Sequence, residues 1–136
     1  MAIDASFLLK MFLPEDKSDE AETLWKSWVG DHVEIMAPTL IMFEISSVVR
    51  NKVFRGNLTE KEGEEINHLL KQLDISLIYT DELFDIAWEI GVILNAPNLY
   101  DCFYLALPKL LRIPLWTADR KLFQSAKKAF PFVNLL

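Results

Sequence analysis

The chain has 136 residues, 51% of them hydrophobic and 25% charged, with 20 acidic residues against 14 basic ones and a single cysteine. That length suits one compact domain spanning 1–136 with a substantial core and leaves no room for a second, while a net charge of −6 argues against a nucleic-acid binder that works by electrostatics alone. Cys102 has no partner for an internal disulfide, no apolar run reaches the ~18 residues of a membrane helix before charge or proline breaks it, and the start lacks a secretory pattern; a soluble cytoplasmic protein with no membrane contact is expected.

Short strand-like runs alternate with helical ones, which predicts an α/β fold around a largely parallel sheet. "AIDAS" reads as a buried strand ending at Asp4, followed by a helical turn through "FLLKMFL" that Pro14 stops. "SDEAETLWKSWVGD" has a serine cap, acids in its first turn and Ala21, Leu24, Trp25 and Trp28 at helical spacing. "VEIMA" is the second strand. A long helix begun by Pro38 runs through "PTLIMFEISSVVRNKVFR" to Gly56.

Thr59 and Glu62 form a capping-box pattern at the start of the next helix. "SLIYT" is the third strand and "DELFDIAWEIGVIL" an amphipathic helix. Another helix is expected from near Asn98 to Leu111, kinked at Pro108. "PLWTA" is the fourth strand, "DRKLFQSAKKAF" a helix and "FVNLL" a short terminal strand. Helices thus separate nearly all the strands, as parallel crossovers require.

Four acids sit inside apolar stretches: Asp4 in "MAIDASFLL", Glu44 in "APTLIMFEISSVV", Asp101 in "LYDCFYLAL" and Asp119 in "IPLWTADRKL". An ionised carboxylate beside apolar surface is costly unless a cation or strong donors meet it. Asp4 and Asp119 follow predicted strands, and Glu44 and Asp101 fall within the first two turns of helices that follow strands. All four therefore reach one edge of the sheet, beyond the strand carboxyl ends, where ligands of open parallel sheets bind. A shared divalent metal, and hence a metal-dependent enzyme, accounts for all of them together.

Each acid also has a plainer role: Asp119 as a helix cap, Asp101 beside the positive end of a helix dipole, Asp4 as a turn residue. Glu44 is the hardest to explain that way, because it shares an apolar stripe with Leu40 and Val48 that excludes Arg50.

The stretches "IDASFLLKMFLPED", "APTLIMFEISSVVRNKVFRGNLT", "YDCFYLALPKLLRIPLW" and "TADRKLFQSA" resemble, in order, the four acidic motifs of the PIN-domain ribonucleases, and within them the VapC-like toxins of toxin–antitoxin pairs. The resemblance covers essentially the whole chain and includes two hydroxyl residues, Ser6 two positions after Asp4 and Thr117 two before Asp119. It departs from the family pattern at Pro108 and Cys102, outside the acidic set.

The resemblance implies helices on both sides of a central parallel sheet, with Asp4, Glu44, Asp101 and Asp119 as catalytic, metal-binding acids. Ser6 and Thr117 would orient a carboxylate, water or phosphate. One or two Mg²⁺ or Mn²⁺ ions, an RNA substrate, a small antitoxin protein and a homodimer are implied with them. Hard divalent cations prefer such oxygen ligands, and two of them clamp an in-line displacement without a protein nucleophile.

Lys10, Arg50, Lys52, Arg55, Arg120 and Lys121 are candidate phosphate contacts. An RNA-processing nuclease outside any toxin pair and a non-catalytic module presenting Trp25 and Trp28 are the alternatives. Other chemistries lack their parts: no glycine-rich phosphate loop or GxSxG elbow exists, His32 and His68 stand isolated, and Cys102 reads as a core residue. Haloacid-dehalogenase-type phosphotransfer needs a second aspartate where Ser6 stands.

Overall fold

A computed structural model describes residues 1–13 and 16–136, so Pro14, the expected stop of the first helix, lies outside the described residues. The elements are β1 (Ala2–Ile3), α1 (Ala5–Phe12), α2 (Ser18–Gly30), β2 (Met36–Pro38), α3 (Leu40–Phe54), α4 (Glu60–Leu70), β3 (Ser76–Ile78), α5 (Asp81–Leu94), α6 (Tyr100–Leu111), β4 (Leu115–Thr117), α7 (Arg120–Ala126) and β5 (Val133–Leu135). The strands form one sheet in the order β3-β2-β1-β4-β5, every pair parallel. The α/β architecture expected from the alternation of elements, and implied by the resemblance, is the one observed.

Successive strand residues face opposite sides of a sheet, and this divides the core in two. Ile3 joins one cluster with Phe7, Leu8, Trp28, Ile41, Ile45, Val49 and Ile66, from the α1–α4 layer. Ala2, Leu115 and Val133 from the strands join the other, with Leu83, Ala87, Ile90, Cys102, Leu105 and Leu122 from the α5–α7 layer. Trp28 is buried and stacks on Phe7 with ring centroids 5.2 Å apart, while Trp25 is partly buried against the same cluster, so core packing takes both tryptophans considered as a docking surface. Cys102 is buried and free, a core residue as expected.

Most caps follow the sequence: Thr59 and Glu62 close a reciprocal capping box on α4, and Gly56 takes the left-handed conformation (φ 75°) beyond the end of α3. Two boundaries differ. Ser18 does not cap α2; the cap residue is Lys17, in the left-handed region at φ 68°, while the Ser18 hydroxyl donates to the Leu13 carbonyl. Pro38 closes β2 instead of opening α3, whose first residue is Leu40. Met36 donates its amide to Met1, so the missing N–H of Pro38 falls on the same, β1 side, where the ladder extends only to Ala2 and Met36. Proline therefore interrupts no bond there.

Candidate active site

Asp4 stands where β1 hands over to α1 and is the helix cap, a role that the turn reading of this residue only approached. It is 4% exposed. Its Oδ1 accepts from the Ser6 hydroxyl (2.7 Å) and the Phe7 amide (2.9 Å), and its Oδ2 accepts from the Thr117 hydroxyl (2.5 Å). Ser6 in turn accepts from the Ala118 amide at 2.8 Å, and Thr117 from the Asp119 amide at 2.9 Å. Each hydroxyl thus spends its one proton on Asp4 and is aimed by a backbone N–H from the end of β4. A carboxylate offers about four acceptor positions; three donors leave Asp4 one direction open.

Asp119 caps α7, as its plainer reading expected, with Oδ1 accepting from the amides of Lys121 (2.7 Å) and Leu122 (3.2 Å). Its Oδ2 takes no hydrogen bond among the described residues. Glu44, in the second turn of α3, is half-buried at the margin of that helix's buried face of Ile41, Ile45 and Val49. Its Oε2 accepts from the Tyr104 hydroxyl at 2.7 Å. Asp101, in the first turn of α6, is the most open of the four and has no hydrogen bond among the described residues.

The four acids form one electrostatic chain. Burial pushes the Asp4 carboxyl up to about 6 against the pull of its three hydrogen bonds, and the charge of Glu44 adds to the push. Glu44 is raised by desolvation, opposed by the Tyr104 bond, with Asp101 adding repulsion. Asp101 is raised by partial desolvation and by Asp119. Tyr104 keeps its proton far above the ordinary range, because burial and the charges of Glu44, Asp4 and Asp101 all oppose a phenolate. None of the ion pairs formed between described residues involves these acids; Arg50, for one, pairs with Glu60 at 2.9 Å.

Among the described residues, no three acidic, histidine or cysteine side chains lie close enough as they stand to hold one ion. The donor set nevertheless suits a hard divalent cation: Glu44, Asp101 and Asp119 keep oxygens without a hydrogen bond among the described residues, Asp4 keeps one acceptor direction, all are carboxylate, and burial with neighbouring charge raises three of the four. Asp101, exposed and without a hydrogen bond among the described residues, and Glu44, held by one, are the acids with most freedom to turn toward such an ion.

The PIN-domain family profile matches residues 1–128. The chain belongs to the PIN-domain family. It is 29% identical to the ribonuclease VapC3 of Pyrobaculum aerophilum over 129 residues, 90% of this chain and 91% of that protein. It is 31% identical over 94 residues to a VapC ribonuclease of Mycobacterium bovis, Mb0985, and to the ribonuclease VapC9 of Mycobacterium tuberculosis, in each case 69% of this chain and 72% of the relative.

In this PIN domain the site contains a residue that sequence reasoning passed over. Tyr104 lies three positions after Asp101 on α6, the spacing that puts two side chains on one helical face, and that spacing was its available signal. The amides of Phe7 and Ala118 carry no signal in a sequence at all. Of the candidate phosphate contacts, Arg55 and Lys52 line a surface hollow with Glu44 and Asn51, and Arg120 and Lys121 are exposed in the first turn of α7 beside Asp119.

Proposed function

We propose that the chain is a divalent-metal-dependent endoribonuclease of the VapC type, built as one PIN domain over 1–136, that hydrolyses RNA phosphodiester bonds with water as the nucleophile. One observation carries this reading: at the carboxyl edge of the sheet, burial and then the charge of a neighbouring acid raise the proton affinity of Asp4, Glu44 and Asp101, the neighbours being Glu44, Asp101 and Asp119 in turn, and none of the ion pairs between described residues involves these acids. The relatives' names and the family match support the same reaction class.

Metal dependence is general in this family, and one or two bound Mg²⁺ or Mn²⁺ ions would supply water activation and charge stabilisation at the phosphate. Glu44, Asp101 and Asp119 would hold such an ion through oxygens without a hydrogen bond among the described residues, and Asp4 through its one open acceptor direction. Ser6 and Thr117 fix the plane of the Asp4 carboxylate, so that its one remaining lone-pair direction is set before substrate arrives. Arg55, Lys52, Arg120 and Lys121 flank the acids and bind RNA backbone phosphates, which steers a polyanion to an acidic chain.

Cleavage of a mixed panel of single-stranded and structured RNA by the purified, partner-free protein tests the reading. Activity with Mg²⁺ or Mn²⁺ that is lost in EDTA and in Asp4→Asn is expected. A folded protein that cleaves none of the panel under either metal would contradict it.

The VapC-type reading brings with it a cytoplasmic setting and a small antitoxin as partner. A homodimer is proposed on separate ground. Phe84, Trp88 and Val92 form a stripe along α5, 46%, 67% and 70% exposed, continuous with exposed Phe43, Tyr79 and Tyr100 around a cavity of about 240 Å³. Apolar patches of that kind mark interfaces. Sedimentation of the protein as a dimer that Trp88→Glu converts to monomer is expected.

A further inference from the structure

Tyr104 departs from the pattern of its own helix. The buried apolar neighbours on α6, Cys102, Leu105, Ala106 and Leu107, belong to the core of the α5–α7 layer. Tyr104 belongs instead to the opposite core, with Ile3, Phe7, Leu8, Ile41 and Ile45. Its ring is 2% exposed, so its hydroxyl is a donor fixed by packing. That hydroxyl ends 2.7 Å from Glu44 Oε2.

Glu44 needs such a grip. It is half-buried, has a long flexible side chain, and the charges of Asp4 and Asp101 push against it. Its hydrogen bond to Tyr104 is its only side-chain bond among the described residues. A lysine or arginine in this place would hold Glu44 but cancel its charge. A neutral phenol holds it and leaves the charge available.

We infer that Tyr104 is a positioning residue: it anchors Glu44 through Oε2, keeps Oε1 available within the carboxylate group, and thereby sets the affinity of the site for its divalent cation. This rests on the metal-dependent reading above. Hydrogen-bond partners that orient a metal ligand typically change metal affinity or activity by about 10–100-fold when removed, and Tyr104→Phe removes the hydroxyl while keeping the ring.

The test is calorimetric titration of Mn²⁺ into wild type, Tyr104→Phe and Glu44→Asp, with RNA cleavage followed over the same Mn²⁺ range. Glu44→Asp alters the proposed ligand itself and marks the loss expected when Glu44 no longer reaches the ion; Tyr104→Leu, which keeps an apolar side chain in the core without a hydroxyl, serves if Tyr104→Phe does not fold. The expected result is Mn²⁺ binding weakened about 10–100-fold in both variants, with turnover restored at saturating Mn²⁺ in Tyr104→Phe. A merely structural tyrosine would not produce that split between metal affinity and turnover. Wild-type affinity in folded Tyr104→Phe, or lowered turnover with unchanged affinity, would overturn the assignment alone. Failure of the wild type to bind Mn²⁺ would overturn the metal-dependent reading and this assignment with it.

Discussion

The two halves of the acidic site are built differently. On the strand side, Asp4 and Asp119 are tied to β1, β4 and the starts of α1 and α7 by Ser6, Thr117 and the amides of Phe7, Lys121 and Leu122. On the helix side, Glu44 depends on the Tyr104 hydroxyl, and Asp101 has no hydrogen-bond partner among the described residues. A fixed half and an adaptable half suit a cleft that must admit an ion and a phosphate.

The largest expected effect separates this site from mere surface acidity. Asp4→Asn and Asp101→Asn each leave the fold intact and lower RNA cleavage by about 10²–10³-fold, the usual loss when one charge-stabilising group is removed from a reacting centre. Initial rates at saturating Mn²⁺ check this. Equal loss from both halves means that both touch the chemistry.

Stability distinguishes the halves more sharply. Thr117→Val strips a buried donor from Asp4 and a buried acceptor from the Asp119 amide, and urea unfolding in EDTA is expected to show a loss of about 1–3 kcal/mol. Tyr104→Phe costs about 1 kcal/mol or less by the same measurement, because half-buried Glu44 can take a water instead. Equal losses would erase the proposed difference between the fixed and adaptable halves.

Acid titration probes Asp4 together with Glu44 and Asp101, whose proton affinities are raised in the same direction. The folded-state proton affinity of Asp4 is raised, to about 6 from an ordinary 3.8, so the native state holds a proton that the unfolded chain has released in that window. Stability of metal-free protein therefore falls as pH climbs from about 4 through 6, by about 2–3 kcal/mol at one unit per 1.36 kcal/mol. Asp4→Asn makes that slope shallower and leaves the share that Glu44 and Asp101 contribute, as measured by urea midpoints across the range. The smallest effect belongs to Asp119→Asn: Asn caps nearly as well as Asp, so α7 stays within about 0.5 kcal/mol in stability, and a loss in cleavage isolates the role of the free Oδ2.

The sequence made the acids legible because strand–helix alternation confines each of them to one sheet edge whatever the loops do. Asp119 reads as both cap and site residue, and in the structure its Oδ1 does the capping, which leaves Oδ2 for the proposed site role. Glu44 was marked by its apolar stripe, although the buried face of α3 is Ile41, Ile45 and Val49 and the acid sits at its margin. Lys17 as a left-handed cap was hidden, because nothing local favours it over Ser18. Pro38 in β2 depends on where β1 stops pairing, a non-local fact. Tyr104 was hidden because its helix belongs to one core and its ring to the other.

End-group analysis of RNA cleaved by the purified protein with Mn²⁺, beside an EDTA control, tests the central claim most directly. Hydrolysis by water at a carboxylate-held site predicts metal-dependent cleavage whose products carry no 2′,3′-cyclic phosphate. Cyclic phosphate ends would show attack by the RNA's own 2′-hydroxyl, and cleavage that persists in EDTA would show a reaction that needs no metal; either result would contradict it.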